Sequence, residues 1–377
     1  MKKNMAGVLA LLFMMVAALT GCAAGGGPDR TAEAMNVDGV SVPLGEVNLY
    51  LRYQQTQMQG FYGMYFGEDF MNQDLMGLGV PYGNTVRDTV VETLKEYYVV
   101  EAHAQELGIT LTDEEKTNAS EAAKAFLAAN DSKALKAMTA DEATVTHLLE
   151  LMALQSKVYD DRAATIDTEV DPEAVAQKRI SYVSSSIAPS VDEDGNETEL
   201  TEAELTEKKE QLERILTAAK ESGDLQAAAE AEEMSATSTT YGKDSTSLDE
   251  ELVRAADALS DGEFSGVIET ENNYYIVCME STFDADATET AKQNELSQRE
   301  RDAYDAWYSP LLEAAQITVN EELIQSLTFE RVFSAPTEEP EEDVSAEGAE
   351  EPAAEESSEG AEESADDTAE TPEGETE

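Results

Sequence analysis

The chain has 377 residues, with 81 acidic against 24 basic side chains and a formal net charge of −57. This balance excludes nucleic acid as a partner, because binding a phosphate backbone requires clustered Lys and Arg. Only two cysteines and two histidines are present, so most metal and thiol chemistry is excluded by scarcity, and we expect no cofactor. The length allows roughly two domains of ordinary size.

The first 22 residues have the pattern of an export signal. Two lysines follow Met1, an apolar run covers residues 6–19, and small residues lead to Cys22. This order is typical of a secretory signal peptide, and the run is too short for a comfortable membrane span. The exit, Leu19-Thr20-Gly21-Cys22, resembles a bacterial lipobox, in which the cysteine receives a diacylglycerol thioether. An ordinary signal peptide with an incidental cysteine is the alternative.

The lipobox interpretation makes three predictions about the mature protein. Residues 1–21 are a signal peptide that is removed, Cys22 is lipidated, and residues 22–33 form a tether. Buried acyl chains contribute about 0.8 kcal/mol per methylene. We therefore expect an extracytoplasmic protein anchored to the outer face of the bacterial cell membrane.

The C-terminal 42 residues differ in composition from the rest of the chain. Residues 336–377 contain 19 Asp or Glu, no Lys or Arg and no aromatic residue. A segment of this kind cannot bury enough apolar surface to offset the entropy cost of ordering it. It is predicted to be a disordered acidic tail.

Residues 34–170 are predicted to be an N-terminal helical domain. An Asp-Gly turn at Asp38-Gly39 between valines indicates a small hairpin. Asn84 is a candidate cap for the helix that follows, and Thr112 with Glu115 forms a predicted capping box. Thr139 with Glu142 repeats that pattern one helix later.

Residues 171–283 change character. Ile180, Tyr182 and Val183 indicate a strand, and helical sequence then runs from about residue 202 to residue 221. A turn at Asp261-Gly262 precedes two further predicted strands. This order of elements predicts a small α+β domain, and residues 284–335 are again predicted to be helical.

The end of the predicted α+β domain carries motifs of a known family. Leu252, Ala255-Ala256 and Leu259 precede Asp261-Gly262-Glu263-Phe264-Ser265-Gly266-Val267-Ile268, and Asn273-Tyr274-Tyr275-Ile276-Val277 follows. This resembles the parvulin pattern of a helix, Gly-Glu-x-Ser, a short strand and Gly-Tyr-His-Ile-Ile. With the lipobox and the hairpin that leads into helices, residues 34–333 resemble the PrsA- and SurA-type extracytoplasmic foldases.

The resemblance implies a fold, a function and a partner. The fold is a helical SurA-like chaperone domain built from residues 34–170 and 284–335, with a parvulin-like α+β domain inserted at residues 171–283. The function is that of a membrane-anchored foldase or chaperone, and the partners are unfolded or secreted polypeptides. Because the chain is strongly acidic, we expect cationic clients to be favoured and anionic surfaces to be repelled.

The histidines that parvulins place in two strands are missing. The matching positions are Tyr182 and Tyr275, while His103 and His147 lie outside the domain. Prolyl rotation has a barrier of about 18–20 kcal/mol, and a shaped apolar pocket can lower it without a nucleophile. We therefore expect a weak or inactive isomerase and assign no catalytic residue; an active peptidyl-prolyl isomerase with a substituted site is the alternative. If the pocket persists, its wall is predicted to include Tyr182, Leu248, Leu252, Phe264 and Tyr275.

Between Tyr50 and Tyr82 the chain is crowded with methionine and aromatic residues. One interpretation is a client-binding surface, because such side chains adapt to many apolar partners. The other is a helical core with a loop packed over it. The members are Tyr53, Met58, Phe61, Tyr62, Met64, Tyr65, Phe66, Phe70, Met71 and Met76.

Other candidate functions have weaker support. Asp192, Asp194 and Asn196 begin like a calcium loop, but Glu197 stands where glycine is needed and Ala203 where glutamate is needed. We expect Cys278 to be a buried structural thiol. A solute-binding lipoprotein is a further alternative, although it requires two α/β lobes and the predicted strands are too few.

Overall fold

The structure is a computed structural model that describes residues 29–191 and 197–334, together with the backbone of residues 17–19. Several predicted features lie outside the described residues: lipidation at Cys22, the first part of the tether, and the acidic tail from residue 336 onward. The segment that only begins like a calcium loop falls largely in the gap at residues 192–196. No helix in the described part of the chain is long and apolar enough to cross a membrane.

The N-terminal part of the described chain is mainly helical. A hairpin leads into five helices. Short 3₁₀ turns lie at Phe70–Asn72, between the first and second helices, and at Ala104–Leu107, directly after the second helix. In chain order the elements are β1 (Ala17–Leu19), β2 (Glu33–Val37), β3 (Val40–Pro43), α1 (Leu44–Phe66), α2 (Tyr82–His103), α3 (Asp113–Ala129), α4 (Ser132–Met138) and α5 (Glu142–Ala163).

The rest of the described chain forms an α+β segment and then returns to helix. The elements are α6 (Pro172–Val175), β4 (Gln177–Ser186), β5 (Ser190–Val191), β6 (Glu197–Thr198), α7 (Glu202–Ser222), α8 (Leu225–Glu230), β7 (Thr237–Gly242), α9 (Glu250–Asp257), β8 (Ile268–Glu269), β9 (Asn273–Ser281), α10 (Ala285–Ala314), β10 (Ile317–Val319), α11 (Glu321–Gln325) and β11 (Val332–Ser334).

Two distant parts of the chain build the helical domain together. Strand β10 pairs with β2, which completes a three-stranded sheet of order β10-β2-β3. Ile324, Leu327, Phe329 and Phe333 are buried in the same core as α1, α2 and α5. The predicted architecture is therefore confirmed: a helical domain made from both ends of the described chain, with an α+β domain inserted between them.

Residues 327–333, which we call the strap, cross the helical domain in a mostly extended conformation. Side chains of the N-terminal helices hold the strap by its backbone carbonyls. Arg52 donates to Thr328 O at 2.8 Å, Gln55 donates to Arg331 O at 2.7 Å, and Arg87 donates to Leu327 O at 3.0 Å. Side-chain donors thus bind the strap as far as Arg331, and its last two residues, Val332 and Phe333, pair with β1.

Two aromatic rings of the strap are buried beneath guanidinium groups. The Arg52 guanidinium lies 5.4 Å from the Phe329 ring centre and 5.5 Å from that of Phe333. Gly83 lies so close to Phe329 that an added Cβ would be 2.3 Å from the ring. Since no side chain fits there, the start of α2 requires glycine.

The inserted domain has a four-stranded antiparallel sheet of order β7-β4-β9-β8. Successive residues of a strand face opposite sides, and each side here has its own core. Helices α7 and α8 cover one face through Leu212, Ile215 and Leu225. Helix α9 covers the other face through Leu252 and Ala256.

His147 belongs to a partly buried polar cluster of the helical domain. Its imidazole lies 3.5 Å from Glu101 and 3.0 Å from the buried Glu46, and Tyr98 donates to Glu46 at 3.0 Å. The hydrogen bonds to Glu101 and Glu46 raise the pKa of His147 to about 10. His147 therefore links three helices through charged hydrogen bonds. In the described chain, no group of three or more His, Cys, Asp or Glu residues could hold a metal ion.

The local turn and capping predictions succeed in part. Asp38 and Gly39 both have positive φ, as the predicted hairpin requires, and Thr112 with Glu115 forms the predicted capping box. The cap predicted at Asn84 is wrong, because α2 begins two residues earlier, after Pro81. The box predicted at Thr139 is also wrong: Thr139 ends α4 in a left-handed conformation, and Asp141 caps the next helix.

Candidate functional site

Strands β4 and β9 bring the two predicted tyrosines together. Tyr182 pairs with Val277 and Tyr275 pairs with Ser184, so both side chains leave the sheet on the face that α9 covers. Their ring centres are 5.8 Å apart in a T-shaped arrangement. Edge-to-face contact of this kind is a favourable geometry for aromatic pairs. The two positions at which parvulins carry histidine are therefore neighbours in this chain.

Four of the five predicted wall residues share that face. Leu248 and Tyr182 are partly buried against the core that contains Leu252 and Tyr275. Phe264 lies elsewhere, because it bridges to Cys278, and directly opposed residues of an antiparallel pair point to the same side of a sheet. Both belong to the face beneath α7 and α8, so the structure places Phe264 on the other side from the tyrosine pair.

Two tyrosine hydroxyl groups on this face, those of Tyr275 and Tyr241, have carboxylate partners. Burial, together with a hydrogen bond to Asp249, raises the pKa of Tyr275 well above its usual value. Tyr241 donates to Asp257 at 2.7 Å, and Lys178 donates to the same carboxylate at 2.8 Å. Asp249 and Asp257 were not predicted from the sequence; they are the N-cap and the last residue of α9, the helix that supplies Leu252.

This arrangement limits the chemistry available at the site. A tyrosine hydroxyl can donate a hydrogen bond, but it cannot exchange protons near neutral pH as an imidazole does. Cys278 is buried on the opposite face, where burial raises the pKa of its thiol, so it is not a nucleophile here. The site offers an apolar wall with a few fixed donors, which suits binding better than proton transfer.

Comparison with protein families agrees with this geometry. Residues 190–293 match the family described as the PPIC-type PPIase domain. We call the inserted domain, which contains most of this match, the PPIase domain. The match begins after β4 and extends into α10. It therefore leaves out β4, which is one of the two central strands of the domain's sheet.

Solved structures of foldases are similar to between 68% and 79% of this chain at low identity. The foldase protein PrsA from Lactococcus lactis is 18% identical, with 79% of this chain and 99% of that chain covered and a TM-score of 0.31. A SurA-like chaperone from Campylobacter jejuni is 13% identical, with 76% and 98% covered and a TM-score of 0.27. PrsA from Streptococcus pneumoniae is 20% identical, with 68% and 97% covered and a TM-score of 0.26. A comparison with curated proteins finds no match.

A second candidate site lies on the helical domain. We call residues 61–80, the end of α1 and the loop after it, the lip. Seven of the nine large hydrophobic side chains that are exposed in the described chain lie in the lip. Clustered exposed apolar side chains mark interaction surfaces, whereas scattered ones do not. The seven are Phe61, Met64, Tyr65, Phe66, Met76, Leu78 and Val80.

Aromatic packing and side-chain hydrogen bonds to the backbone support the lip. The ring of Tyr62 lies 5.8 Å from that of the fully buried Phe70 and 5.8 Å from that of Tyr82. Asp74 accepts backbone hydrogen bonds from Leu78 at 2.9 Å and Gly79 at 2.7 Å, and the bond from Gly79 is the main reason its pKa is lowered. The exposed side chains are therefore presented on an organised support.

The Met and aromatic stretch thus divides into two parts. Phe70 and Met71 are buried in the core, and Tyr53, Met58 and Tyr62 are partly buried against it. Phe61, Met64, Tyr65, Phe66 and Met76 face solvent. Each of the two interpretations made from the sequence therefore describes one part of the stretch.

Proposed function

We propose that this protein is an extracytoplasmic foldase or chaperone that binds unfolded, secreted polypeptides through the lip. The observation that carries the proposal is the concentration of exposed apolar side chains at one place on the helical domain. Methionine and aromatic side chains fit many partners, which suits recognition of unfolded chains of unrelated sequence. The similarity of residues 190–293 to the PPIC-type PPIase domain supports the proposal, because that domain acts on polypeptide chains.

The energetics of the lip favour weak and reversible binding. Full burial of one Phe, Met or Leu side chain contributes about 1.5–3 kcal/mol. Association costs about 4–15 kcal/mol in lost translational and rotational freedom, and ordering a flexible segment adds to that cost. Partial burial of several of the seven side chains therefore leaves a small surplus. A holding chaperone needs this balance, because its clients must be released to fold.

The proposal for the PPIase domain is that it has weak or no isomerase activity. Tyrosines occupy both positions at which an active parvulin carries histidine, and the Tyr275 hydroxyl is engaged by Asp249. The domain would then act mainly as a second binding surface for client chains. An active isomerase with this substituted site remains the second candidate, since the apolar wall of Tyr182, Leu248 and Leu252 is present.

We further propose that the mature protein is tethered to the membrane through Cys22. The support is the lipobox-like sequence Leu19-Thr20-Gly21-Cys22 and the apolar run before it. A solute-binding role is not favoured, because the described strands form small antiparallel sheets rather than the two α/β lobes such a protein requires.

The proposal is tested by suppression of aggregation. A variant with Phe61→Ser, Met64→Ser and Tyr65→Ser removes three exposed apolar side chains, so folding should be unaffected. We expect it to lose most of the wild-type ability to slow light scattering by a reduced, unfolded secretory protein. Since apolar contacts in the lip provide the binding energy, the amount of protein needed for half suppression should rise about tenfold or more.

A matched control is available in the same chain. Phe283 is exposed to 56% and Phe61 to 61%, but Phe283 lies just after β9, outside the lip. Phe283→Ser should suppress aggregation as well as the wild type does. Equal activity of the lip variant and the wild type, with both fully folded by circular dichroism, would remove the main support for the proposal.

A further inference from the structure

The charges of the lip all have one sign. The charged side chains of residues 61–80 are Glu68, Asp69 and Asp74, and all three are exposed. The nearest basic residues in sequence, Arg52 and Arg87, are buried against the strap. An exposed apolar surface is therefore combined with carboxylates that have no basic neighbour within the lip.

The aromatic rings of the lip add a second preference for cations. Phe61 and Tyr65 lie 5.1 Å apart between ring centres, and both are exposed. The face of an exposed ring attracts Lys or Arg by about 0.5–1 kcal/mol. Carboxylate charge and ring faces act on the same kind of group, although they are independent features of the surface.

We propose that the lip selects client segments in which apolar residues are flanked by Lys or Arg. The inference rests on the proposed function and adds the class of segment that is bound. Apolar side chains of the client pack on Phe61, Met64 and Tyr65, while its cations lie near Glu68 and Asp69. Charge complementarity of this kind mainly raises the association rate and sets specificity, and salt screens it.

The test uses three fluorescent peptides with one shared core of Leu and Phe residues. The flanks are Lys in the first peptide, Gln in the second and Glu in the third. We expect binding to the wild type in the order Lys, Gln, Glu, with about a fivefold difference between neighbouring members at low salt. The preference should decrease at 0.5 M salt, because exposed charges are then screened.

A Glu68→Gln and Asp69→Asn double variant should bind the Lys peptide about fivefold more weakly and leave the Gln peptide unchanged. Glu114→Gln with Glu121→Gln is the matched control: it removes two exposed carboxylates from α3 of the same domain, and it should keep the wild-type preference. Loss of preference in this control would show a general effect of net charge and would overturn the assignment to the lip.

The remaining outcomes separate the two proposals. If all three peptides bind the wild type equally, and the Phe61→Ser, Met64→Ser and Tyr65→Ser variant binds none, selection by charge is overturned while the proposed function stands. If no peptide binds the wild type, both are overturned. Wild-type protein that sediments with phosphatidylglycerol vesicles, when the lip variant does not, would make the lip a membrane-contact surface and overturn the selection proposed here.

Discussion

Replacing Arg52 with alanine is expected to lower the free energy of unfolding by about 3 kcal/mol. The buried guanidinium donates to Asn48, Gln55 and the carbonyl of Thr328, and it covers the rings of Phe329 and Phe333. Its removal leaves buried acceptors without donors and a cavity over two aromatic rings. Urea unfolding followed by far-ultraviolet circular dichroism measures the loss.

Two further variants show whether the effect comes from the strap. Arg254 is exposed on α9, and Arg254→Ala should change stability by less than about 0.5 kcal/mol. Arg52→Lys keeps a charge but lacks the planar set of donors, so an intermediate loss is expected. If Arg52→Ala proves as stable as the wild type, the strap does not fasten the helical domain in the way described above.

The second large effect concerns the PPIase domain. In a protease-coupled prolyl-peptide assay, we expect the protein to accelerate isomerisation at least about 100-fold less than an active PPIC-type domain at equal concentration. The physical reason is the loss of preorganised donors: removing one such donor from an active site costs about 10²–10³ in rate. Tyr182 and Tyr275 fill the histidine positions, and the Tyr275 hydroxyl already has a carboxylate partner.

The assay needs one control for folding. Ile276 and Val277 are fully buried in the two cores of the PPIase domain, so strong amide protection of β9 in hydrogen exchange would show that the domain is intact while the rate is measured. Turnover within about tenfold of the active domain would contradict the proposal and favour the alternative of a working isomerase with a substituted site.

Features that depend on local chemistry could be predicted from the sequence. The Asp38-Gly39 hairpin follows from the positive φ that a tight turn requires, and the box at Thr112 follows from side-chain geometry within one helical turn. The errors arose where two candidates competed within a few residues. The N-cap of α2 is Pro81, whereas Asn84 was predicted, and the N-cap of α5 is Asp141, whereas Thr139 was predicted. Single-residue boundaries of this kind depend on how the helix packs.

Long-range placements were harder to predict. The resemblance to parvulins predicted Tyr182 and Tyr275 in one pocket wall, and it predicted Phe264 there as well. Phe264 lies outside a regular strand, so no alternation of side chains fixed its side of the sheet. The strap has no period at all, because its carbonyls are held by side chains of α1 and α2 from more than 200 residues away, for example Arg52 with Thr328. Composition alone could not divide the Met and aromatic stretch, since its buried and exposed members are the same residue types.

The most direct test of the account is site-specific photo-crosslinking to an unfolded client. A photoreactive phenylalanine analogue is placed at Tyr65 in the lip, at Tyr182 in the PPIase domain, or at the exposed control position Phe283. The account predicts strong crosslinking of a reduced, unfolded secretory protein at position 65, weaker crosslinking at position 182 and only background at position 283. Background crosslinking at position 65, or equal crosslinking at positions 65 and 283, would contradict the conclusion that the lip is where client chains are bound.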